Sequence, residues 1–445
     1  MNPPWLCRVR PEALAPRRRR AVDAHTLESV SSIVEDIRRR GDVALREYAS
    51  RLDGLSPDEP LAIDRASLEA SRDALTPPVR ALLERVADRI RAFAVAQRAA
   101  LSDLSFPVAG GHAGHTVLPV AIAGCYAPGG RYPLVSSALM TVVTARAAGV
   151  GQVWACSPRP TPVMRAAAAI AGADGMLCVG GAHAIAALAY GAAPAPACDV
   201  VVGPGNRWVT AAKHLVSADV GIDLLAGPSE LLILADDSAD PHRIAANLLA
   251  QAEHDPDAVP MLVATQESLI DEVERVLSLQ LADLPSRDTA ASALRNGFAV
   301  VVGGTDEGIK VCNRVAAEHV ELHVRDSQEF AARIRCAGAV FLGEDSAEVF
   351  GDYGAGPNHT LPTGGTARYA SGLSVFTFLR CQTWLRLNRA DVASPPGFGA
   401  GGQIVDGTAG RLIDDAAALA RLEGLEGHAR SAELRRAAAL MLRRS

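Results

Sequence analysis

Residues 117–130 read Val-Leu-Pro-Val-Ala-Ile-Ala-Gly-Cys-Tyr-Ala-Pro-Gly-Gly, and a pattern that recurs along the chain begins here. A short apolar run ends in glycine, and an alanine-rich, helix-like segment follows it. The same arrangement recurs at Val153–Cys156, Gly175–Val179 and Val200–Val202. Buried parallel strands are near-continuous apolar runs that alternate with helices. The stretch therefore predicts a first α/β unit, with strands at Val117–Ala123 and at the three later runs.

A second α/β alternation begins after the turn signal at Ala226–Ser229. Glu230–Ala235 has the composition of a buried strand. The elements predicted after it are a helix over Pro241–Glu253, strands over Met261–Ala264, Phe298–Val302 and Val340–Leu342, and a helix over Asp306–Ala317. The sequence therefore predicts two α/β units in succession.

Helical segments flank the two units. From His25 to about Leu101 apolar residues recur at three- and four-residue steps, with arginines between them. Near the other end, Ser394–Gly402 is a linker rich in proline and glycine, and Ala416–Arg444 has a helical pattern. We divide the chain into a helical N-terminal region (1–116), a first α/β domain (117–228), a second α/β domain (229–375), and a linker with a helical tail (376–445).

The composition is that of an ordinary globular protein. Among 445 residues, 49% are hydrophobic and 21% charged, and the net charge of -6 gives no sign of a nucleic-acid partner. The eight cysteines show no CxxC pair and no dense spacing, which is typical of reduced thiols in a cytosol. The run Arg17–Arg20 fits a solvated surface or a binding patch, and no apolar segment of a signal peptide follows it. Because Arg146 interrupts the longest apolar region, Leu134–Val150, we expect no membrane segment and a cytoplasmic protein.

Three glycine-rich turns follow predicted strands of the first unit, at 126–130, 180–183 and 203–206. The dinucleotide fingerprint GxGxxG, with its acidic residue further on, is missing from the sequence. Turns at the carboxyl ends of parallel strands nevertheless bind ligands, because backbone N–H groups and helix N-termini point there. Each turn alone could be a plain tight turn, but three in one unit predict a ligand crevice.

Two short motifs carry groups suited to catalysis or metal binding. Gln251 and His254 lie three residues apart near the end of a predicted helix, which places both side chains on one face. They could hold a metal ion, or they could be ordinary polar residues of the surface or core. Glu318 and His319 lie at a predicted helix-to-strand junction, where an adjacent acid and base suit proton transfer, although one such dipeptide proves little.

The segment Gly351–Gly365 is too rich in glycine and proline for a helix, and it carries Asp352, Asn358 and His359. Loops of this kind position functional groups more often than they fill a core. An ordinary surface loop is the alternative.

These residues match a known family, because the chain resembles histidinol dehydrogenases over nearly all its length after residue 25. The resemblance rests on Gly-Cys-Tyr-Ala-Pro-Gly-Gly at 124–130, Gly-Gly-Ala-His-Ala-Ile-Ala-Ala-Leu-Ala-Tyr-Gly at 180–191, Val-Gly-Pro-Gly-Asn at 202–206, Gly-Ile-Asp-Leu-Leu-Ala-Gly-Pro-Ser-Glu at 221–230, Gln-Ala-Glu-His-Asp-Pro at 251–256, Ala-Glu-His-Val-Glu at 317–321, the 351–365 loop, and Glu-Gly-Leu-Glu-Gly-His at 423–428. It implies two Rossmann-like α/β domains, as in aldehyde dehydrogenases, with a helical N-terminal region and an extended C-terminal tail. By the same resemblance, domain 117–228 binds NAD, domain 229–375 carries the metal and catalytic residues, and the tail is swapped between the subunits of a dimer.

The resemblance also implies a shared metal site. Zn²⁺ would be held by Gln251, His254 and Asp352 of one subunit and by His428 from the tail of its partner. Two imidazoles and two oxygen donors are a reasonable ligand set for zinc. The active form would then be a homodimer whose subunits complete each other's active sites.

The chemistry implied is oxidation of an alcohol to an aldehyde and then to a carboxylate, with two hydride transfers to NAD. The resemblance makes His319 the general base and Glu318 the group that activates water. It implies that the substrate is held by Ser229, Gln251, His254, Glu318, His319, Asp352, His359, Glu423 and His428. On the cofactor side it implies Tyr126, His183 and Asn206.

Some residues depart from the family pattern. Histidine occupies position 183, where the family usually has glutamine, and isoleucine occupies position 122, where it usually has arginine. Arg131–Val135 replaces a run of small residues. Three hypotheses follow: oxidation of L-histidinol in histidine biosynthesis, oxidation of another small polar alcohol such as sulfopropanediol, or a non-catalytic dimer that binds nucleotide and metal.

Overall fold

The strands are short and separated by helices or glycine-rich turns, which is typical of parallel sheets. The computed structural model describes residues 4–14, 22–129, 133–192, 194–388, 397–398, 404–405 and 408–441. In chain order the strands are β1 (Cys7–Val9), β2 (Ala62–Asp64), β3 (Leu104–Val108), β4 (Gly111–Pro119), β5 (Ile122–Tyr126), β6 (Gln152–Cys156), β7 (Gly175–Leu177), β8 (Val200–Val202), β9 (Gly221–Ile222), β10 (Glu230–Ala235), β11 (Val259–Ala264), β12 (Phe298–Val301), β13 (His319–His323), β14 (Ala339–Leu342), β15 (Leu379–Leu387), β16 (Gly397–Phe398) and β17 (Ile404–Val405).

Five of the described helices begin after a residue whose side chain caps them. In chain order the helices are α1 (Ala24–Arg40), α2 (Asp42–Tyr48), α3 (Arg65–Asp73), α4 (Pro77–Ala99), α5 (Val135–Ala148), α6 (Pro162–Ala171), α7 (Gly181–Tyr190), α8 (Arg207–Val216), α9 (Pro241–His254), α10 (Glu267–Ala282), α11 (Arg287–Leu294), α12 (Thr305–Val315), α13 (Ser327–Ala331), α14 (Glu348–Asp352), α15 (Thr408–Leu422) and α16 (Glu426–Met441). The side chains of Asp23, Asp64, Thr161, Asn206 and Asp240 accept backbone N–H bonds at the starts of α1, α3, α6, α8 and α9. Such caps satisfy N–H groups that have no partner within the helix.

The described residues form two compact units. The first contains the chain up to Arg98 together with Pro119–Phe378. The second contains Ala99–Leu118 and the described residues from Leu379 onward.

The first sheet of the first unit has the strand order β2-β7-β6-β5-β8-β9. Its neighbours are parallel, except that β2 runs antiparallel to β7. Val200, Val201 and Val202 of β8 are at most 3% exposed, although successive residues of a strand point to opposite faces. Both faces of this strand are therefore covered, which confirms the predicted α/β unit.

The second sheet has the order β1-β12-β11-β10-β13-β14, and all its neighbours are parallel. All six residues of β10, Glu230–Ala235, are buried. The strands lie within two residues of their predicted bounds, and helix α9 ends at His254, one residue later than predicted. The fold class, α/β with two Rossmann-like domains and a helical N-terminal region, is confirmed.

The second unit is built differently. Strand β4 pairs with β3 on one side and with β15 on the other, in an arrangement where β3 and β4 are antiparallel. Helices α15 and α16 form a hairpin, in which Arg421 makes ion pairs with Glu426 and Glu433. Within the described residues, these elements belong to the segments before β5 and after Phe378.

The predicted strand Val117–Ala123 is wrong, because two strands meet there. Strand β4 ends at Pro119, and β5 begins at Ile122. Proline has no N–H to donate to a ladder. The next N–H groups bond outside the sheet, since Val120 N donates to Phe378 O and Ala121 N donates to the Asp199 carboxylate.

The predicted single helix Ala416–Arg444 is also wrong. The chain forms α15 and α16, and Gly424 between them has a left-handed φ of +78°. Glycine adopts this conformation without a steric penalty, and it commonly ends helices.

Parts of the sequence predictions lie outside the described residues. These are Arg17–Arg20, Arg131 with Tyr132, and all of Ser394–Gly402 except 397–398. All eight cysteines are free thiols, as their spacing predicted. Of the helices that the structure describes, none has both the length and the apolar composition needed to cross a membrane.

Candidate active site

Glu318 and His319 lie at the junction between helix α12 and strand β13, as predicted. Helix α12 ends at Val315, Ala316 has a left-handed φ of +54°, and His319 is the first residue of β13. This abrupt turn buries both side chains, with Glu318 5% and His319 3% exposed. An acid and a base therefore lie side by side in the interior.

The imidazole of His319 is oriented by a backbone carbonyl. Its Nδ1 lies 3.2 Å from Glu230 O, so Nδ1 carries the proton and donates it. Its Nε2 lies 3.9 Å from Asp352 Oδ1 and makes no hydrogen bond with any described residue. Burial lowers the pKa of His319, which favours the neutral ring at neutral pH. Nε2 is therefore suited to accept a proton.

The carboxyl group of Glu318 is held by the start of strand β10. Its Oε2 accepts a hydrogen bond from Glu230 N at 2.9 Å, and the Ser229 side chain also bonds to it. Burial raises the pKa of Glu318 well above its usual range, and the Asp352 charge acts in the same direction. A buried carboxyl group with a raised pKa holds its proton more tightly than an exposed one, so its ionised form is a stronger base.

Gln251 and His254 lie on one face of the last turn of α9, which ends before Asp255-Pro256. Gln251 is fully buried, and neither its Oε1 nor its Nε2 meets a hydrogen-bond partner in the described parts of the chain. A buried amide without partners is costly. It is therefore available to bind a group that the polypeptide does not supply.

His254, Glu348 and Asp352 form a cluster of possible metal ligands. One ligand atom of each lies within 4.8 Å of the others, and His254 Nε2 is 3.5 Å from Asp352 Oδ2. The sequence predicted His254 and Asp352 but missed Glu348, whose Oε1 lies 3.4 Å from His319 Nδ1. Imidazole and carboxylate donors at this spacing, beside the unpartnered Gln251 amide, fit a Zn²⁺ ion.

His359 connects the 351–365 loop to the first α/β domain. Its Nδ1 lies 3.0 Å from Asp352 O, and its Nε2 lies 3.2 Å from Ser137 Oγ at the start of α5. Burial lowers the pKa of His359. The loop therefore contributes Asp352 and His359 to one site, and Ser137 was not predicted.

This site lies at the amino-terminal edge of the second sheet. Ser229 precedes β10, Glu318 precedes β13, and His254 is at the C-terminal end of a helix. Ligand sites of α/β sheets usually lie at the opposite, carboxyl edge.

A separate cavity lies at the carboxyl ends of strands of the first sheet. It has a volume of about 810 Å³, and Tyr126, His183 and Asn206 all line it. The sequence assigned these three residues to the cofactor. The cavity also contains Asp53, which the sequence analysis missed and whose Oδ2 lies 2.8 Å from His183 Nε2.

Backbone contacts fix the turns around this cavity. Gly181 N donates to the Tyr126 hydroxyl, and Gly203 approaches strand β5 so closely that a Cβ would lie 1.9 Å from Tyr126 O. A buried ion pair of Lys213 with Asp223 holds the same turn, because Lys213 Nζ donates to Gly203 O and Asp223 accepts from Gly203 N. No signal in the sequence marked this pair.

Two further predicted residues, Glu423 and His428, belong to the second unit. Glu423 and His428 flank the turn between α15 and α16, and both are exposed. Ile122, a departure from the family pattern, is the first residue of β5 and is partly buried.

Known proteins resemble the chain over almost its whole length. A family model described as histidinol dehydrogenase matches residues 16–398. A histidinol dehydrogenase from Thermus thermophilus is 44% identical over 421 residues, which are 94% of this chain and 97% of that protein. A sulfopropanediol 3-dehydrogenase from Ruegeria pomeroyi is 37% identical, with 92% of each chain covered.

The likeness extends to a solved structure. The crystal structure of a histidinol dehydrogenase from Elizabethkingia anophelis superposes with a TM-score of 0.87 at 28% identity, covering 98% of this chain and 99% of that one. The resemblance drawn from the motifs is confirmed. The chain therefore belongs to the histidinol dehydrogenase family, whose members are oxidoreductases.

Proposed function

We propose that this chain oxidises L-histidinol to L-histidine through the aldehyde, with NAD as hydride acceptor and Zn²⁺ as the metal. The observation that carries the proposal is the environment of His319. Its ring is buried and favoured in the neutral form, and its Nε2 faces the His254-Asp352 cluster without a hydrogen-bond partner among the described residues.

The metal would be held by Gln251, His254 and Asp352. The amide of Gln251 has no other described partner, and His254 already lies beside the Asp352 carboxylate. Bound there, the ion supplies a template that orients an amino alcohol through its nitrogen and oxygen atoms.

His319 and Glu318 divide the proton transfers. In the first oxidation, Nε2 of His319 accepts the proton of the alcohol hydroxyl as a hydride leaves the carbon that bears this hydroxyl and passes to NAD. Glu318 then takes a proton from the water that adds to the aldehyde, while protonated His319 returns its proton to the aldehyde oxygen, which gives the hydrate. Neutral again, His319 accepts a hydroxyl proton of the hydrate as the second hydride leaves for a second NAD. The raised pKa of Glu318 supports this role, because a carboxylate whose pKa is raised is a stronger base than an exposed glutamate.

The cavity of the first sheet is the proposed NAD site. Tyr126, His183 and Asn206 line it from three separate turns, at the edge of the sheet where dinucleotides bind. Its volume of about 810 Å³ is in the range of a cofactor site.

We propose further that two copies of the chain share each site. Glu423 and His428 are exposed beside the turn of the α15-α16 hairpin. His428 of the partner subunit would complete the ligand set of Gln251, His254 and Asp352, and Glu423 would lie close to the substrate.

A second candidate substrate is sulfopropanediol. The relative from Ruegeria pomeroyi is named for this substrate and is 37% identical to the chain. The departures at Ile122 and His183 also favour a changed specificity. The proton-transfer groups would serve either alcohol.

Formation of NADH from L-histidinol and from 2,3-dihydroxypropane-1-sulfonate, with Zn²⁺ present, decides between the two. Turnover of histidinol, with two NADH formed per molecule, is the expected result. No turnover of histidinol, together with turnover of the sulfonate, would overturn the first proposal. No turnover of either would favour a binding protein.

A further inference from the structure

Glu321 is a buried carboxylate that the proposed mechanism does not use. It lies on strand β13, two residues after His319 and therefore on the same face, and it is 0% exposed. Asn247 Nδ2 donates to its Oε2 at 2.8 Å, Glu348 N donates to its Oε1 at 2.7 Å, and His323 Nε2 lies 3.0 Å from its Oε2. Both carboxylate oxygens are thus occupied.

These bonds reach the two helices that carry the proposed metal ligands. Asn247 lies on α9, one turn before Gln251, and Glu348 is the first residue of α14, one turn before Asp352. Glu321 therefore connects both helices through one side chain.

Helix α14 depends on this contact. It has only five residues, and Ala347 at its N-cap position provides no side-chain cap. So short a helix is not stable alone, and its first N–H groups have no partner within the helix. Glu321 supplies the cap from a neighbouring strand, which fixes where Asp352 stands relative to α9.

We propose that Glu321 is a positioning residue that sets the spacing of α9 and α14 and so determines the metal affinity of the site. The inference rests on the proposed zinc site. A buried carboxylate costs free energy unless its lone pairs are satisfied. In Glu321, Asn247 of α9 and the backbone N–H of Glu348 in α14 supply hydrogen bonds to these lone pairs. The same bonds therefore hold the two ligand-bearing helices at a fixed distance from each other. Groups that orient metal ligands change affinity by about 10- to 100-fold when they are mutated.

The test compares Glu321→Gln with Glu274→Gln. The Glu274 carboxylate accepts two backbone N–H bonds, from Trp5 and Leu6, in the same domain but between α10 and the chain before β1. In Glu321→Gln, the new amide NH₂ faces a donor, either Asn247 Nδ2 or Glu348 N. Zinc affinity is measured by competition with a chromophoric chelator, and the visible spectrum of the Co²⁺-loaded protein reports the ligand geometry.

We expect Glu321→Gln to bind Zn²⁺ about 10- to 100-fold more weakly than the wild type, with an altered Co²⁺ spectrum. Glu274→Gln should keep both properties. If Glu321→Gln does not fold, Asn247→Ala, which removes one of the three contacts, must show the same change in smaller degree. A folded Glu321→Gln or Asn247→Ala variant with wild-type zinc affinity and Co²⁺ spectrum overturns the proposal. If the wild type binds no Zn²⁺, the metal site itself is wrong and the positioning role fails with it.

Discussion

The tautomer of His319 decides which of its ring nitrogens can accept a proton from a bound alcohol. His319 donates Nδ1–H to Glu230 O, so the lone pair is on Nε2, the nitrogen nearer to Asp352. Glu348 Oε1 lies 3.4 Å from the same Nδ1 and favours the same tautomer. The base therefore faces the proposed metal ligands, where a bound alcohol would lie.

Substitutions at the two adjacent residues should separate the two half-reactions. His319→Ala removes the only proposed acceptor of the alcohol proton, so both oxidations should fall by about 10² to 10⁴, the usual contribution of a general base. Glu318→Gln should mainly slow aldehyde oxidation, because only that step needs activated water. NADH formation is measured with histidinol and with the aldehyde supplied separately. His214→Ala, at an exposed position of α8, is the control. Equal losses of both steps in Glu318→Gln would contradict its assigned role.

The position of Glu318 and His319 depends on the neighbouring strand β14. Gly338 precedes β14, and a Cβ there would lie 2.5 Å from Glu318 O and 3.1 Å from Leu361. Because the nearest atom is a backbone oxygen that cannot move aside like a side chain, only glycine allows β13 and β14 to approach this closely.

Gly338→Ala should therefore displace Glu318 and lower both stability and turnover. Overpacking of this kind costs about 1–3 kcal/mol, and the melting temperature should fall by several degrees. Differential scanning calorimetry and NADH formation measure the two effects. Gly304→Ala is the control in the same domain, since nothing lies within 4 Å of its Cβ position. Wild-type turnover in a destabilised Gly338→Ala variant would show that Glu318 is not held by this contact.

The strands could be predicted because burial on both faces leaves an apolar run, as in Val200–Val202. The error at Val117–Ala123 arose because Pro119 and Val120 prolong such a run although the chain leaves one sheet and enters another there. The single helix predicted for the tail failed because one glycine, Gly424, was too weak a signal against a long helical pattern.

The site was harder to predict than the fold. Gln251 and His254 share a helix face, so their neighbourhood follows from local spacing. Their approach to Asp352, about a hundred residues later, depends on the order of strands in the sheet, which spacing does not reveal. Residue-based reasoning also directs attention to the carboxyl edges of strands, whereas Glu318 and Ser229 lie at the amino-terminal edge. Only the family resemblance supplied these assignments.

The proposed cofactor and catalytic sites lie in different α/β domains. Helix α5 connects them within the first unit. It begins after the Tyr126 turn of the cavity, and its Ser137 contacts His359 beside Asp352. Hydride transfer requires the cofactor and the substrate to lie close together, and helix α5 borders both of their proposed sites.

The proposed sharing of sites between two copies of the chain can be tested by mixing variants. His428→Ala changes an exposed residue and should leave each chain folded, yet it removes a ligand from the partner's site. Gln251→Ala removes a ligand from the chain's own site. Each variant alone should therefore be inactive, while a mixed dimer has one intact site. With random exchange of subunits, about a quarter of the wild-type activity should return, because half of the dimers are mixed and each has one working site of two.

Subunits are exchanged by mild denaturation and refolding of the mixture, and NADH formation from histidinol is followed. Mixing Gln251→Ala with His254→Ala is the control, because both changes lie on α9 and no arrangement of these chains completes a site. Recovery in the first mixture alone requires that His428 act across the dimer. If neither mixture recovers activity although exchange is verified by mass, His428 serves its own subunit or none, and the shared site is wrong. If His428→Ala alone keeps full activity, the residue is not a ligand, and Glu348, which lies in the same cluster as His254 and Asp352, becomes the next candidate.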